Sequence, residues 1–308
     1  MSFDAGFLLG LSMGGGGVKS DEWTFPSHWL EIPDPEPNQV IMYVEAEAGD
    51  VAPIIGLYGQ NYDGGTINYG DDGYTYDYPA GYGYNVYHVY QKAGQYIITI
   101  TAAGNEVYLN ASGANAAFMV GHIIDSYSGG YNSTDGSCKC IRAIKVGRDI
   151  QLDTGTVPIA GSRYGANLVY LEFMGTVKNA EPKFQSFRAL KKVKIGVSPE
   201  SFGEAAFQNC FALEKIEGLQ NLKIISSAMF FACYALKSVD LPSAESENGA
   251  AFKTNCYSLK SINAPKLTAI AADEFSSCYS LQSLTLADSC NFNGNKFENC
   301  PQLYPKPQ

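Results

Sequence analysis

The C-terminal half of the chain repeats one phrase six times: an aromatic residue, then Cys, then Leu, then strand-forming aliphatics. The leucines fall at Leu190, Leu213, Leu236, Leu259, Leu281 and Leu303, so successive steps are 23, 23, 23, 22 and 22 residues. Three residues before each stand Phe187, Cys210, Cys233, Cys256, Cys278 and Cys300, and ahead of those Phe184, Phe207, Phe230, Phe252, Phe275 and Phe297. Strand positions follow at Val193 and Ile195, Ile216, Val239 and Leu241, Ile262 and Ala264, and Leu284 and Leu286. A period of this length specifies a solenoid, because one rung cannot bury its own apolar side and needs a copy above and below it. Burying one Leu or Phe contributes about 1.5–3 kcal/mol, largely offset by chain entropy, so a single rung does not hold alone.

Five cysteines share the phase of Phe187, which makes the position a buried slot for a medium-sized apolar group. Reduced core thiols are expected there, although rungs about 4.8 Å apart would not forbid a bridge by distance. Cys138 and Cys140 form a Cys-x-Cys with no second pair at zinc spacing, a weak metal signal. Outward strand positions run Lys192 and Lys194, Lys215 and Glu217, Ser238 and Asp240, Ser261 and Asn263, Ser283 and Thr285, grading from charged to neutral. Lys192, Lys215, Asp240 and Asn263 are the candidate ligand-binding positions on this face; a plainly solvated surface is the alternative.

With 308 residues and 45% apolar content the chain can bury a large core, as two domains or as one domain plus an array. A net charge of -10 and a pI near 4.8, with no basic patch to offset them, argue against a nucleic-acid partner. No run reaches the roughly 18–20 apolar residues of a membrane span. Phe7 to Met13 is apolar, but Asp4 and the lack of a preceding Lys or Arg argue against a secretory leader. Residues 1–37 therefore read as an attachment segment that buries Phe7, Leu8, Leu11 and Trp23 against a partner or between subunits. It ends in Pro33-Asp34-Pro35-Glu36-Pro37, whose alternating prolines favour a stiff extended spacer.

Residues 38–130 read as β, with strands at Val40–Val44, Ile54–Tyr58 and Tyr96–Thr101 and no helical periodicity. Within them Tyr74, Tyr76, Tyr78, Tyr82 and Tyr84 stand among Gly, Asp, Asn and Pro, the composition of a paratope, and are the candidate ligand-binding residues expected to contribute most, ahead of the solenoid positions. They are expected on a hairpin-like insertion, either exposed or forming one aromatic face of two strands. Asp71 and Asp72 could offer oxygens to calcium, yet a full site needs about six to eight, and an Asp-stabilised turn accounts for them as well. His28, His88 and His122 stand in unrelated contexts, and no nucleophile, zinc or phosphate-loop motif is present. No catalytic residue, metal or cofactor is therefore expected.

Two stretches carry family resemblances. Gly65-Thr66-Ile67-Asn68-Tyr69-Gly70-Asp71-Asp72-Gly73 and His88-Val89-Tyr90 through Gly94-Gln95-Tyr96 to Ile100 resemble the turn and closing strands of PKD-type domains, with Tyr69 where Trp is usual. That resemblance implies a small β-sandwich serving as an extracellular spacer or binding module. The phrase from Phe230 to Pro242, Phe-x-x-Cys-x-x-Leu-x-x-Val-x-Leu-Pro, resembles BspA-like leucine-rich repeats. These imply surface proteins and adhesins of host-associated gut bacteria and their phages.

The resulting expectation is a mainly β chain with short helical turns: a PKD-like sandwich over 38–130, then a BspA-like leucine-rich repeat solenoid of period 22–23 over 131–308, its degenerate first rungs at Ile141–Val146 and Leu168–Phe173. The resemblance implies non-enzymatic recognition, first as a phage or prophage tail-associated component meeting a host cell-surface protein or glycan. A bacterial cell-surface adhesin is the alternative; a cell-wall-polymer-degrading enzyme lacks candidate residues. The expected location is a virion or the extracellular surface, with the N-terminus joined to a virion, tail or self-assembly partner and a homo-oligomer as one form of that assembly.

Overall fold

The computed structural model describes residues 23–50, 52, 55–58, 64–71, 75–78, 84–86, 88–103, 107–109, 117–120, 140–152, 167–176, 184–252, 255–272, 274–276, 278–294, 297 and 299–304. Among these the fold is almost entirely β, with no α-helix. The expected helical turns are tight turns.

The largest sheet has eight strands. It holds β1 (Gln39–Ala46), β3 (Gly65–Asn68), β4 (Thr75–Tyr78), β6 (Gly94–Ala102), β9 (Ile141–Val146), β11 (Tyr170–Thr176), β12 (Lys192–Val197) and β13 (Lys215–Glu217). Their order is β13-β12-β11-β9-β1-β6-β3-β4. Antiparallel pairing of β1 with β6 and with β9 gives way to parallel pairing from β9 through β11 and β12 to β13. The sheet thus runs unbroken across residue 130, and one buried apolar cluster extends from Val40 to Leu303. A second sheet, ordered β10-β7-β8-β2-β5, contains β2 (Ile55–Tyr58), β5 (Tyr84–Val86), β7 (Val107–Leu109), β8 (Ala117–Val120) and β10 (Ile150–Leu152).

Beyond β13 the rungs continue as β15 (Ser238–Asp240), β17 (Ser261–Asn263) and β18 (Ser283–Thr285), the last three paired in parallel. A second parallel ladder joins β14 (Ile224–Ser226) to β16 (Ser246–Asn248). The two degenerate rungs read from the sequence are β9 and β11.

Inside the coil each repeated residue type forms its own column. The phenylalanines stack: centroid separations from Phe184 through Phe207, Phe230, Phe252 and Phe275 to Phe297 are 5.2, 5.9, 5.0, 6.2 and 5.6 Å. The leucines and cysteines of the repeat are buried. All seven described cysteines are free, and the thiols of Cys210, Cys233, Cys256 and Cys300 donate to the carbonyls of Phe184, Phe207, Phe230 and Phe275, one rung earlier, at 3.0, 3.2, 3.3 and 3.6 Å. Cys therefore fills the slot and also ties successive rungs, which Phe187 cannot do. Burial pushes the Cys210 and Cys256 thiols up to about 12, so they stay protonated.

One interior pair is acidic. Glu247 accepts from the amides of Ala251 and Ala271, both at 2.9 Å, and Glu274, 1% exposed, accepts from the amide of Phe252 at 2.6 Å. Among the described residues no donor faces Oε2 of Glu274. The Glu247 and Glu274 carboxyl groups are hydrogen-bonded to each other, a contact that requires a proton on one of the pair. Burial, and then the charge of Glu247, push Glu274 well above the usual carboxylate range.

Candidate recognition surface

The outer face of the eight-stranded sheet divides into a sealed and an open part. Register places Tyr43, Ala143, Tyr170, Lys192 and Lys215 in one row and Ile41, Lys145, Glu172, Lys194 and Glu217 in the next. Over β1, β9 and β11 an aromatic strap covers these rows. Trp23 stacks on Tyr170 at 5.7 Å, Phe25 meets the same ring edge-on at 4.7 Å, and Trp29 lies 4.6 Å from Tyr43. Trp23 thus has its packing partner within the chain itself. Phe7, Leu8 and Leu11, named with it for attachment, lie outside the described residues.

The proline run continues the strap instead of spanning open solvent. Lys145, almost wholly buried, donates to the carbonyl of Ile32 at 2.9 Å and to the carboxylate of Asp34 at 2.8 Å. Alternating prolines hold the segment extended, so both acceptors reach one ammonium group. That hydrogen bond holds the Asp34 carboxyl below its usual range.

From β12 onward the strap no longer covers the face: the Lys192 side chain is still only 14% exposed, but those of Lys194 and Lys215 are 40% and 34% exposed. Lys192 and Lys215 are in register, and both reach Glu217, at 3.1 and 2.8 Å. Burial raises the Glu217 carboxyl, and its hydrogen bonds to Lys215 and Lys192 outweigh that, leaving it lowered. Farther along, Asp240 and Asn263 are in register, with the Asn263 amide donating to the Asp240 carboxylate at 2.7 Å. All four solenoid residues proposed from the sequence therefore lie on outward strand positions, each already tied to a neighbour. Where the strap ends, a cleft of about 460 Å³ opens between Asp34–Pro37, Arg148 and the strand residues Glu172, Met174 and Lys194. Lys194 closes one wall by donating to Glu172 at 2.6 Å, and Tyr170 donates to the same carboxylate at 2.8 Å.

The tyrosine candidates are not brought together as a hairpin. β4 pairs with β3 in the large sheet, whereas β5 pairs with β2 in the other. The period-two alternation marks two strands, as expected, but each finds its hydrogen-bond partner elsewhere, because antiparallel edges were open in both sheets. Tyr76 is half-buried against the core, 6.0 Å from Tyr69 in an edge-to-face contact. Tyr74 and Tyr82 lie outside the described residues, as do the side chains of Tyr78 and Tyr84.

Beside them His88 packs as a structural residue. Its ring stacks on Tyr69 at 4.5 Å, meets Tyr90 edge-on at 5.0 Å, and sits 2.7 Å from an Asp71 carboxylate oxygen. The turn needs Gly70: φ is +82°, and a Cβ would stand 2.5 Å from the carbonyl oxygen of Ile97. Asp72 lies outside the described residues. Among the described residues no group of three or more His, Cys, Asp or Glu could hold a metal ion, and no helix is long and apolar enough to cross a membrane.

One surface feature escaped the sequence reading. Immediately after Cys210, Cys233, Cys256 and Cys278 come Phe211, Tyr234, Tyr257 and Tyr279, and these rings stack in line on the outside of the coil. The signal was present in the same period, one residue past Cys, where only the apolar columns were followed.

Short parallel strands stacked on columns of Phe, Cys and Leu define a leucine-rich repeat solenoid. Residues 180–304 match the BspA type leucine rich repeat region, in 6 copies. It is a non-enzymatic repeat family and points to a surface or protein–protein interaction role. No curated protein and no solved structure matches the chain. The PKD-type resemblance of residues 39–103 rests on the sequence motifs alone.

Proposed function

We propose that the chain is a non-enzymatic recognition protein whose solenoid meets a host cell-surface protein or glycan through the open sheet face. One observation carries the reading: the face sealed by aromatics over β1, β9 and β11 is left uncovered from β12 on, with polar and charged residues held in fixed geometry by their neighbours. Pre-ordered side chains lose little entropy on binding, which favours such a surface for recognition. In the finer form of this reading the protein is a phage or prophage tail-associated component and its apolar, glycine-rich first residues dock to the particle. A bacterial surface adhesin is the alternative, favoured by the repeat family itself.

The test is binding of labelled protein to candidate host cells by flow cytometry. Replacing Lys192, Lys215, Asp240 and Asn263 together with Ala should reduce binding by an order of magnitude or more. The comparison variant replaces Tyr74, Tyr76, Tyr82 and Tyr84 with Ser. Loss in that variant alone, with the fold retained, would move recognition to the N-terminal sheets. Mass spectrometry of purified phage particles and of washed cell envelopes separates the tail component from the adhesin.

A further inference from the structure

A second column runs along the solenoid beside the open sheet face. The residue after Phe187, Cys210, Cys233, Cys256 and Cys278 is in turn Arg188, Phe211, Tyr234, Tyr257 and Tyr279, and the last rung has Pro301 there. Backbone bonds keep the column in line: the amide of Ala212 donates to the carbonyl of Arg188, that of Ala235 to Phe211, and that of Ser258 to Tyr234. The four rings are 4.8, 5.5 and 5.9 Å apart and tilted by only 6, 17 and 11°. The Arg188 guanidinium caps the row 5.5 Å from the Phe211 centroid. Tyr257 and Tyr279 are 42% and 49% exposed, so the row ends as an aromatic ridge open to solvent.

We propose that this ladder is a docking edge for an extended, acidic segment of a protein partner. Sugar recognition by aromatics needs a free ring face, and here the faces are spent on one another. What remains outward is ring edges, which carry the positive rim of the aromatic quadrupole, and the hydroxyl groups of Tyr234 and Tyr279, that of Tyr257 donating to Asn255. Both suit carboxylates and peptide carbonyls.

The neighbouring column agrees. Three residues further along each rung stand Lys191, Glu214, Lys237, Lys260 and Gln282, again joined by backbone bonds from rung to rung. Glu214 is shared between Lys237 at 2.7 Å and Lys191 at 3.9 Å. With Arg188, these two columns are net cationic on a chain whose overall charge is -10. A strip one residue wide and several rungs long fits an extended chain better than a flat globular patch.

The probe is a fluorescein-labelled peptide of alternating Glu and Gly, read by anisotropy against the full-length protein, with the Lys and Gly counterpart and polygalacturonate as comparisons. The Glu peptide should bind, the Lys peptide should not, and added salt should weaken binding. Tyr257→Ser with Tyr279→Ser should weaken it about tenfold or more. Lys237→Glu with Lys260→Glu, which leaves the ring stack untouched, should do the same and decides the matter if the tyrosine variant melts early. Equal binding of both peptides, or Glu-peptide binding that survives the charge reversal, overturns the proposal. Polygalacturonate binding more tightly than the Glu peptide with the same tyrosine dependence overturns the choice of a protein partner.

Discussion

Two stretches of one sheet carry opposite outer faces over the same inner face. The inner row, Met42, Ile144, Leu171, Val193 and Ile216, is apolar throughout. The outer row begins with Tyr43, Ala143 and Tyr170 under the strap and ends, past a largely buried Lys192, with the partly exposed Lys215. Val40 to Val44 of β1 accordingly read as an unbroken apolar run, whereas Lys192 to Ile195 of β12 alternate between partly exposed and buried residues. Inner chemistry follows from the fold alone; outer chemistry follows from what lies over it. The open end is where selection for binding can act without cost to the core.

The largest effect should come from exchanging single residues in that row. Tyr170 is 5% exposed and carries Trp23 and Phe25 on its ring, so Tyr170→Ala should cost about 3 kcal/mol or more in urea denaturation. Lys215→Ala, one row member further out, should change stability by no more than about 0.5 kcal/mol. Similar costs at both sites would mean that the open face is not open.

Charge is handled differently outside and inside, and pH exposes this. On the surface, opposite charges meet, as Lys192 and Lys215 do at Glu217. In the interior, among the described residues, Glu247 and Glu274 contact each other and backbone amides, and burial is the main cause that raises both. A carboxyl raised in the folded state means that folding takes up a proton. Stability is therefore full below the ordinary Glu range and falls as pH rises through the raised value. Glu274→Gln keeps a donor toward Glu247 and removes its own titration. As pH rises above the ordinary Glu range its melting temperature should fall less than that of the parent protein, Glu247 still titrating in both. Parallel curves would show that the shared proton contributes nothing.

The periodic part of this architecture was legible because each rung faces copies of itself. Phe, Cys and Leu recur where their own counterparts pack, so one line of sequence predicts a contact in space. That logic located the strands at Val193, Ile216, Val239 and Ile262, and the buried thiols. It could not find the strap, since nothing local in Trp23, Phe25 or Trp29 says that Tyr43 and Tyr170 wait on strands far along the chain. Nor could it pair β4 and β5, whose partners β3 and β2 belong to different sheets. The four solenoid positions Lys192, Lys215, Asp240 and Asn263 were readable as outward by strand alternation. Their ties to Glu217 and to each other depend on rung stacking.

A smaller effect belongs to the thiol column. Cys233→Ala removes one buried sulfur and a weak donor to the Phe207 carbonyl, which should cost about 1 kcal/mol. In the folded protein Cys210, Cys233, Cys256 and Cys278 should resist a thiol reagent at neutral pH and react fully in denaturant. Rapid labelling of the native state at these positions would contradict the burial on which the inner face depends.

The smallest effect tests whether backbone geometry or side-chain packing keeps the rungs alike. Ser186, Asn209, Ala232 and Asn255 each precede the core position with φ of 69, 61, 59 and 75°, and Ala205 and Ala228 turn the chain two residues before the Phe column at 60 and 53°. An alanine in the left-handed region is strained by about 1–2 kcal/mol. Replacing it with glycine removes that strain but loosens the unfolded chain, at about 0.4–1 kcal/mol. Ala228 is half-exposed, so Ala228→Gly should be stabilising by about 0.5–1 kcal/mol. Ala232 is 2% exposed, and its methyl group packs in the core, where losing it costs about 0.8 kcal/mol. Ala232→Gly should therefore come out close to neutral. The pair share a conformation and differ in burial, so the gap between their melting temperatures isolates packing from strain. If Ala232→Gly were the more stabilising of the two, strain at the corner and not the fit of the inner columns would dominate the rung.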